Sequence, residues 1–283
     1  MERGSYKRQV SSYKIFLAWR GLWLLLPVLL GSCSLQKDVD LELPPFQSDL
    51  VAECYLEPGK PYRLTVFQST SFFDRVEPIL ATNVVVTITY KGQVETLPFN
   101  PTLDPETGKL FTHTSPKIVT GQPGEEYFLR IKDTRGREIT GSTTLLQPVP
   151  IDTIEWKFNE RNNAYLLVKF RDDPGTNNFY RFMIHEGRLR GSPDVNFTTT
   201  DMVSDKDQIV LGTTFRYQDQ DTVFVTLFHL EEAHFHFINS VRDAENANGN
   251  PFAQPARIRS SLTGGIGIFT NLAYDRKRLI ITR

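Results

Sequence analysis

The feature that most constrains the fold is a two-residue alternation of apolar and polar side chains, which returns at short intervals from residue 50 onwards. Alternation with this period is typical of strands that bury one face, and turn sequences rich in Gly, Pro and Asp separate the segments. About seven such segments fit between residues 49 and 147, which is the spacing of an immunoglobulin-like sandwich. The 17 Pro and 18 Gly of the chain likewise argue against an all-helical bundle.

A second β-rich unit follows Gln147–Pro150, a segment with few ladder donors that marks the predicted domain boundary. We predict a domain over residues 148–283 that contains fibronectin-like strands, an irregular stretch at 187–220 and a single helix near 231–247, where apolar residues recur at three- and four-residue spacing. The predicted fold is therefore mostly β. It comprises two β-sandwich domains, the first immunoglobulin-like and the second fibronectin-like or irregular β with one helix, after a lipoprotein signal peptide.

Residues 1–32 have the character of an export signal. Basic side chains dominate as far as Arg20, and the apolar run Gly21–Leu30 that follows has about half of the roughly 20 residues needed to span a bilayer. The run leads into Gly31-Ser32-Cys33, which resembles the lipobox of bacterial lipoproteins, where the thiol is acylated and the chain is cut before it. We expect Cys33 to become the N-terminus and its acyl chains to hold the protein on a bilayer.

Residues 33–48 combine alternating charges with a Pro-Pro pair, and they are predicted to form an extended tether. Ser34, rather than Asp, follows the Cys, which in lipoproteins generally indicates the outer membrane, on its periplasmic face or at the cell surface. Removal of the basic signal leaves a net-negative chain, so nothing favours nucleic acid as a partner. Two Cys in the whole chain exclude a disulfide framework, and Cys54, inside an alternating pattern, is expected to be a buried free thiol.

Residues that could carry chemistry are few. His229, His234 and His236 are close in sequence, but on a helix the last two point away from each other, so packed or polar-face histidines are favoured over a metal site. The glycine-rich run Gly264–Gly267 lacks the spacing and the following helix of a phosphate loop, and it is predicted to be a strand that bends or lets another backbone approach. The sequence contains neither a nucleophile elbow nor an HExxH motif. We therefore predict no catalytic residues, no cofactor and no metal.

Two kinds of surface position remain. Phe72 and Phe73 are candidate partner contacts, because aromatic residues in a loop are available to a partner, although they more often pack between domains. Thr153 and Thr222 lie in Asp-Thr-apolar sequences that resemble O-glycosylation acceptors of Bacteroidetes, and Asn196 begins an N-linked sequon. Such short patterns also arise by chance.

Several motifs occur together along the chain. They are the lipobox, the strand pair 51–66, the junction Pro148–Ile154, Asp172–Gly175 followed by Asn178–Arg181, and above all Gly249–Pro255 leading to Gly264–Phe269. Together they resemble the Bacteroidetes lipoproteins grouped as domain of unknown function 4249, over nearly all of the mature chain, with the C-terminal motif as the most specific part. The resemblance implies an envelope lipoprotein that commonly accompanies TonB-dependent outer-membrane receptors, with no established catalytic residues. Family members often carry Cys pairs near 187–200, where this chain has none, so no disulfide is implied.

The sequence thus predicts an outer-membrane lipoprotein that acts as a non-enzymatic binding or accessory component of a TonB-dependent receptor or nutrient-uptake system. A fimbrial or surface-assembly subunit would share the lipid and the sandwich and would polymerise by strand exchange. An envelope hydrolase is the weaker alternative, since nothing in the sequence pairs a nucleophile with a base.

Overall fold

A computed structural model of the chain describes residues 46–71, 77–173, 175–203, 208–248, 254 and 256–283. The chain divides into two compact units, Met1–Phe46 and Gln47–Arg283, and only the second is described beyond a single residue. The predicted signal peptide, Cys33 and most of the tether lie outside the described residues. In the described part, no helix is long and apolar enough to cross a membrane.

The described residues form 17 strands and one α-helix, which confirms the prediction of a mostly β fold. The helix, α1 (Glu232–Ala247), agrees with the one predicted near 231–247. In chain order it precedes the last two strands. In chain order the strands are β1 (Leu50–Leu56), β2 (Pro61–Gln68), β3 (Ile79–Leu80), β4 (Val84–Tyr90), β5 (Gln93–Leu97), β6 (Phe99–Leu103), β7 (Leu110–Ile118), β8 (Glu126–Asp133), β9 (Glu138–Thr144), β10 (Ile151–Phe158), β11 (Ala164–Arg171), β12 (Phe179–Glu186), β13 (Val195–Thr200), β14 (Gln208–Gly212), β15 (Thr222–Leu230), β16 (Ile266–Asn271) and β17 (Ala273–Ile280).

The first sandwich consists of two sheets around one hydrophobic core. Its first sheet has the order β16-β1-β2-β7-β6 with β3 beside β2, and its second sheet has the order β5-β4-β8-β9. The period-two pattern decides which side chains enter the core, because alternate residues of a strand point to opposite faces. In β1, Leu50, Ala52, Cys54 and Leu56 are all buried. Cys54 is a free thiol, as predicted, and burial raises the pKa of its Sγ well above the ordinary value.

The second sandwich pairs the sheet β10-β11-β14 with the sheet β13-β12-β15-β17. Phe182 and Ile184 of β12 and Val225 of β15 belong to its core. The sequence predicts an irregular stretch at 187–220, and this is wrong, because the structure places β13 and β14 there. β13 is rich in Thr and lies at the edge of its sheet, where its side chains are mostly half-buried, so its sequence carries little apolar alternation.

The C-terminal part of the chain returns to the first sandwich. β16 runs parallel to β1, with Ile266 opposite Val51, and Phe269 lies in the core of the first sandwich. The chain then enters the second sandwich again through β17, which pairs with β15. A division of the chain at residue 147 therefore fails for β16, which lies within the predicted second domain, 148–283, but belongs to the first sandwich.

The parallel pairing depends on glycine. Gly267 has a φ of +133°, and a Cβ at this position would lie 1.9 Å from the carbonyl oxygen of Ala52. At Gly264, with a φ of +84°, a Cβ would lie 2.1 Å from the carbonyl oxygen of Glu138. No side chain fits at either position, which confirms the prediction that the glycine-rich run lets another backbone approach closely.

A polar network fastens the start of α1 to β9 and β16. Glu231 Oε2 accepts hydrogen bonds from Thr143 Oγ1 at 2.6 Å and from Thr270 Oγ1 at 2.7 Å, and Glu231 Oε1 accepts one from the Thr144 backbone N–H at 3.0 Å. Asn271 Nδ2 donates to Thr143 Oγ1 at 3.0 Å and to the Thr144 carbonyl at 2.9 Å. Because α1 follows directly on β15, these bonds fix the second sandwich against the first.

Gly267→Ala is expected to lower the free energy of unfolding by about 3 kcal/mol or more, because the new Cβ overlaps the Ala52 carbonyl and the backbone must move. Gly124→Ala is the matched control. Its φ of +88° also disfavours alanine, yet no atom lies within 4 Å of the new Cβ. We therefore expect a loss of only about 1 kcal/mol there. Urea denaturation measures both values, and equal losses would contradict the close-approach argument.

Candidate functional site

A cleft of about 670 Å³ opens between the first sheet of the first sandwich and the sheet β13-β12-β15-β17 of the second. We call it the inter-sandwich cleft. Aromatic rings and charged side chains line it together. The basic lining residues are Lys60, Arg63, Lys109, Arg181 and Arg276, and the acidic ones are Glu57, Asp104 and Glu106.

The second-sandwich wall of the cleft is the outer face of β12, β15 and β17. Because side chains alternate along a strand, β12 directs Phe182 into the core and its neighbours Arg181 and Met183 into the cleft. Antiparallel pairing then aligns these side chains with residues of the next two strands. The cleft-facing rows are Arg181–Phe228–Tyr274 and Met183–Thr226–Arg276.

The two arginines of this wall have neutral partners. Arg181 Nε donates to Asn196 Oδ1 at 2.9 Å. Arg276 Nε donates to Thr226 Oγ1 at 2.9 Å, and its guanidinium carbon lies 4.7 Å from the centroid of the Tyr274 ring. Among the described residues, neither guanidinium has a carboxylate within 4 Å. In the described ranges, the two guanidinium charges of this wall are therefore not paired with a carboxylate.

Two of the three cations that line the first-sandwich wall, Arg63 and Lys109, lie in ion pairs. Arg63 Nη1 lies 2.5 Å from Asp104 Oδ2, and Arg63 Nη2 lies 3.7 Å from Glu57 Oε2. Lys109 Nζ lies 3.3 Å from Glu53 Oε2. Arg63 and Lys109 therefore each have a carboxylate beside them, unlike the two arginines of the opposite wall.

A hydrogen bond joins the two walls. Tyr274 Oη, on β17, donates to Glu57 Oε1 at 2.7 Å, just after the end of β1. Burial and this hydrogen bond raise the pKa of Tyr274 to about 12, so the phenol stays protonated and keeps donating at neutral pH. Together with the network around Glu231, the bond sets the separation of the two walls.

The three clustered histidines occupy three different environments. His234, in α1, is 2% exposed, lines the cleft and packs with its ring centroid 5.6 Å from that of Tyr55. His229 is hydrogen-bonded to a backbone carbonyl and lies 3.2 Å from Asn178 Oδ1, whereas His236 is partly exposed on the helix surface. In the part of the chain that the structure describes, no group of three or more His, Cys, Asp or Glu could hold a metal ion.

The other predicted site residues lie away from the cleft or outside the described ranges. Cys33, Phe72 and Phe73 are not among the described residues. Thr153 is exposed on the edge strand β10, whereas Thr222 is half-buried at the start of β15, between β12 and β17. Thr153 is therefore the more accessible of the two, and glycosylation of either stays a prediction.

Sequence analysis did not single out Arg181, Arg276 or His185. The available signal was the alternation itself, since Arg181 stands between two aromatic core residues of β12. A cation on the polar face of a strand ordinarily faces water. Only the position of the first sandwich, which covers this face, turns it into the wall of a cleft.

Fold and cleft define a two-sandwich β protein with a ligand-sized space between its sandwiches. The chain belongs to the family described as domain of unknown function (DUF4249), whose model matches residues 36–278. No curated protein matches the chain.

Solved structures similar to the chain share little sequence with it. A cytokine receptor complex, crystal form 1A, is 13% identical over 66% of this chain and 87% of that chain, with a TM-score of 0.26. A DUF4785 family protein from Legionella pneumophila is 13% identical over 65% of this chain and 51% of that chain, with a TM-score of 0.23. Salmonella alpha-2-macroglobulin reacted with methylamine is 10% identical over 87% of this chain and 15% of that chain, with a TM-score of 0.26. TM-scores this low indicate neither a shared fold nor a shared function.

Two buried histidines predict how stability depends on pH. Burial lowers the pKa of His234 to about 3 and that of His113 to about 4, against about 6.5 in the unfolded chain. At a pH between the folded-state and the unfolded-state pKa, each histidine binds the proton only in the unfolded state. Stability is therefore full above about pH 6.5 and falls as the pH drops, by about 1.4 kcal/mol per pH unit for each histidine.

Urea denaturation at a series of values between about pH 7 and about pH 5 measures this slope. His234→Gln cannot take up the proton and should remove its share of the slope, while leaving the share of His113. An unchanged slope in His234→Gln would contradict the lowered pKa.

Proposed function

We propose that this protein is a lipid-anchored, non-enzymatic binding component of the outer membrane, which captures a small ligand in the inter-sandwich cleft and works beside a TonB-dependent receptor in nutrient uptake. The cleft carries the proposal, because it is a formed space with converging polar and aromatic groups. Cys33 is the proposed anchor and residues 33–48 are the proposed tether. No nucleic acid takes part.

The size and position of the cleft support a binding role. Ligand sites commonly occupy about 300–1,000 Å³ and lie at domain interfaces, with a few polar groups among aromatic and apolar ones. The inter-sandwich cleft has about 670 Å³ and combines Phe228 and Tyr274 with charged side chains of both walls. The hydrogen bond between Tyr274 and Glu57 braces the walls, so little rearrangement is needed to receive a ligand.

The extent of the family match leaves room for the proposed anchor. The family model begins at residue 36, shortly after Cys33, so the proposed anchor precedes the region that the family shares. The first described strand begins at Leu50, which leaves the proposed tether between lipid and sandwich. In this arrangement the lipid fixes the location, the tether gives reach, and the cleft and loops contact ligand and receptor. Phe72 and Phe73 are the proposed receptor contacts.

Cys33→Ala is expected to release the protein from the membrane fraction, because the thiol that would carry the acyl chains is gone. Fractionation of cells followed by immunoblotting measures the distribution, with Cys54→Ala as the matched control, since Cys54 is buried in the core. We expect the control to stay with the membrane. Retention of Cys33→Ala at the wild-type level would refute the lipid anchor.

An affinity pull-down of the full-length protein from detergent-solubilised outer membranes tests the accessory role, with mass spectrometry to identify partners. We expect a TonB-dependent receptor to be recovered, and its recovery to fall when Phe72 and Phe73 are both replaced by Ala. Recovery of copies of this chain alone, as heat-resistant ladders, would favour the surface-assembly subunit. Recovery of no receptor and no ladder would refute the accessory role.

A further inference from the structure

The arginines on the two walls of the inter-sandwich cleft differ in their partners. Arg63, like Lys109 beside it, pairs with a carboxylate of the first sandwich, whereas Arg181 and Arg276 have only neutral hydrogen-bond partners among the described residues. Burial, together with the nearby Arg242, lowers the pKa of the Arg181 guanidinium. A cation withdrawn from water without an anion beside it is destabilising, so this wall holds charge that no described carboxylate pairs with.

Two buried histidines lie against these arginines. His234 is 2% exposed and His185 is 7% exposed, and both line the cleft. The Nδ1 atom of each has no hydrogen-bond partner among the described residues. Buried polar nitrogens are nearly always hydrogen-bonded in proteins, so two such atoms beside one cleft mark it as an unusual part of the fold. Arg181 and Arg276 line the same cleft as the two histidines, so all four side chains border one space.

We infer that Arg181 and Arg276, with His185 and His234 beside them, form a subsite for the anionic group of the ligand, a carboxylate or a phosphate on a small molecule with an apolar body. This inference rests on the proposed binding role of the cleft and gives its ligand a chemical class. The anion would supply the missing counter-charge and accept hydrogen bonds from the guanidinium groups.

The hydrogen bonds of the arginines favour this use. In each guanidinium the Nε atom donates to a side chain of the same sheet, which orients the group. Within the described residues the Nη atoms remain available, and a guanidinium can hold a carboxylate or a phosphate through two parallel N–H···O bonds. Phe228 lies between Arg181 and Tyr274 in the same row, and its ring offers a surface for the apolar body.

The first test needs no ligand and uses the full-length protein in a non-ionic detergent. Arg181→Met removes the uncompensated charge and keeps an apolar side chain, so we expect the melting temperature to rise by about 2 °C or more. Arg63→Met is the matched control on the opposite wall. It deprives Asp104 of a partner at 2.5 Å, and we expect the melting temperature to fall.

Arg276→Gln repeats the first test independently. The test therefore remains possible even if Arg181→Met fails to fold. The expected result is a melting temperature at or above that of the wild type. A clear fall in both Arg181→Met and Arg276→Gln would overturn the inference, because the two charges would then be stabilising the empty protein.

The second test identifies the ligand chemistry with three probes that share a phenyl ring: benzoate, phenyl phosphate and benzamide, at constant ionic strength. We expect one or both anions, near ten times their dissociation constant, to raise the melting temperature by about 2–4 °C, and neutral benzamide to leave it unchanged. The more effective anion distinguishes a carboxylate from a phosphate. Arg181→Met and Arg276→Gln should lose the rise, whereas Arg130→Met, which removes a surface arginine paired with Glu138, should keep it.

Equal effects of benzamide and the anions, or a rise that survives in both cleft variants, would overturn the anion subsite. Absence of a rise with all three probes would overturn it as well. Neither result bears on the pull-down, which depends on receptor contacts and not on the charge of the cleft, so failure of the subsite and failure of the accessory role are distinguishable.

Discussion

The parallel pairing of β16 with β1 holds the two sandwiches in one arrangement. The pairing requires a backbone-to-backbone approach that only glycine allows, at Gly267 against Ala52, and Gly264 makes a second close approach, to Glu138 of β9. Once β16 is in place, Thr270 and Asn271 at its end reach Glu231 and the β9 backbone. The chain connects β16 to the second sandwich at both ends, through β15 and α1 before it and through β17 after it.

This junction explains why a cleft exists. Two sheets that faced each other directly would exclude water and bury apolar side chains between them. Here the facing sheets belong to different sandwiches, and they are held apart by fixed contacts at β16 and at Tyr274. The faces that line the space carry ionic and aromatic residues, so they do not merge into one apolar core. On the first wall Arg63 and Lys109 lie beside carboxylates, and on the second wall the two arginines have neutral partners among the described residues.

The sequence allowed the strand content to be predicted because burial of one face imposes a period of two. In β1 the buried residues are the apolar members of the alternation, and Cys54 could be placed on that basis. The glycine-rich run was also interpretable, because its spacing fits no phosphate loop, which left a bend or a close approach of another backbone as its role. β13 escaped prediction because an edge strand with Thr side chains lacks a buried face on which the pattern depends.

The cleft could not be predicted from local pattern. Arg181 and Arg276 occupy strand positions that ordinarily face solvent. What distinguishes them is that no carboxylate of the described residues lies within 4 Å of either guanidinium, which only the folded chain reveals. The partner of β1 was equally invisible, since no local rule states that a strand from the C-terminal part of the chain will lie beside one from the beginning. Clustering of histidines in the sequence drew attention to three residues, of which only His234 lines the cleft.

The return of β16 also dictates an order of assembly. A chain that emerges N-terminus first presents β1 and β2 long before the segment that completes their sheet has been made. Until then one edge of β1 exposes unpaired backbone amides and carbonyls, which readily pair with strands of other chains. The first sandwich can therefore be completed only after β16 has been made, and a truncation that removes β16 would leave an unpaired strand edge and not merely a smaller protein.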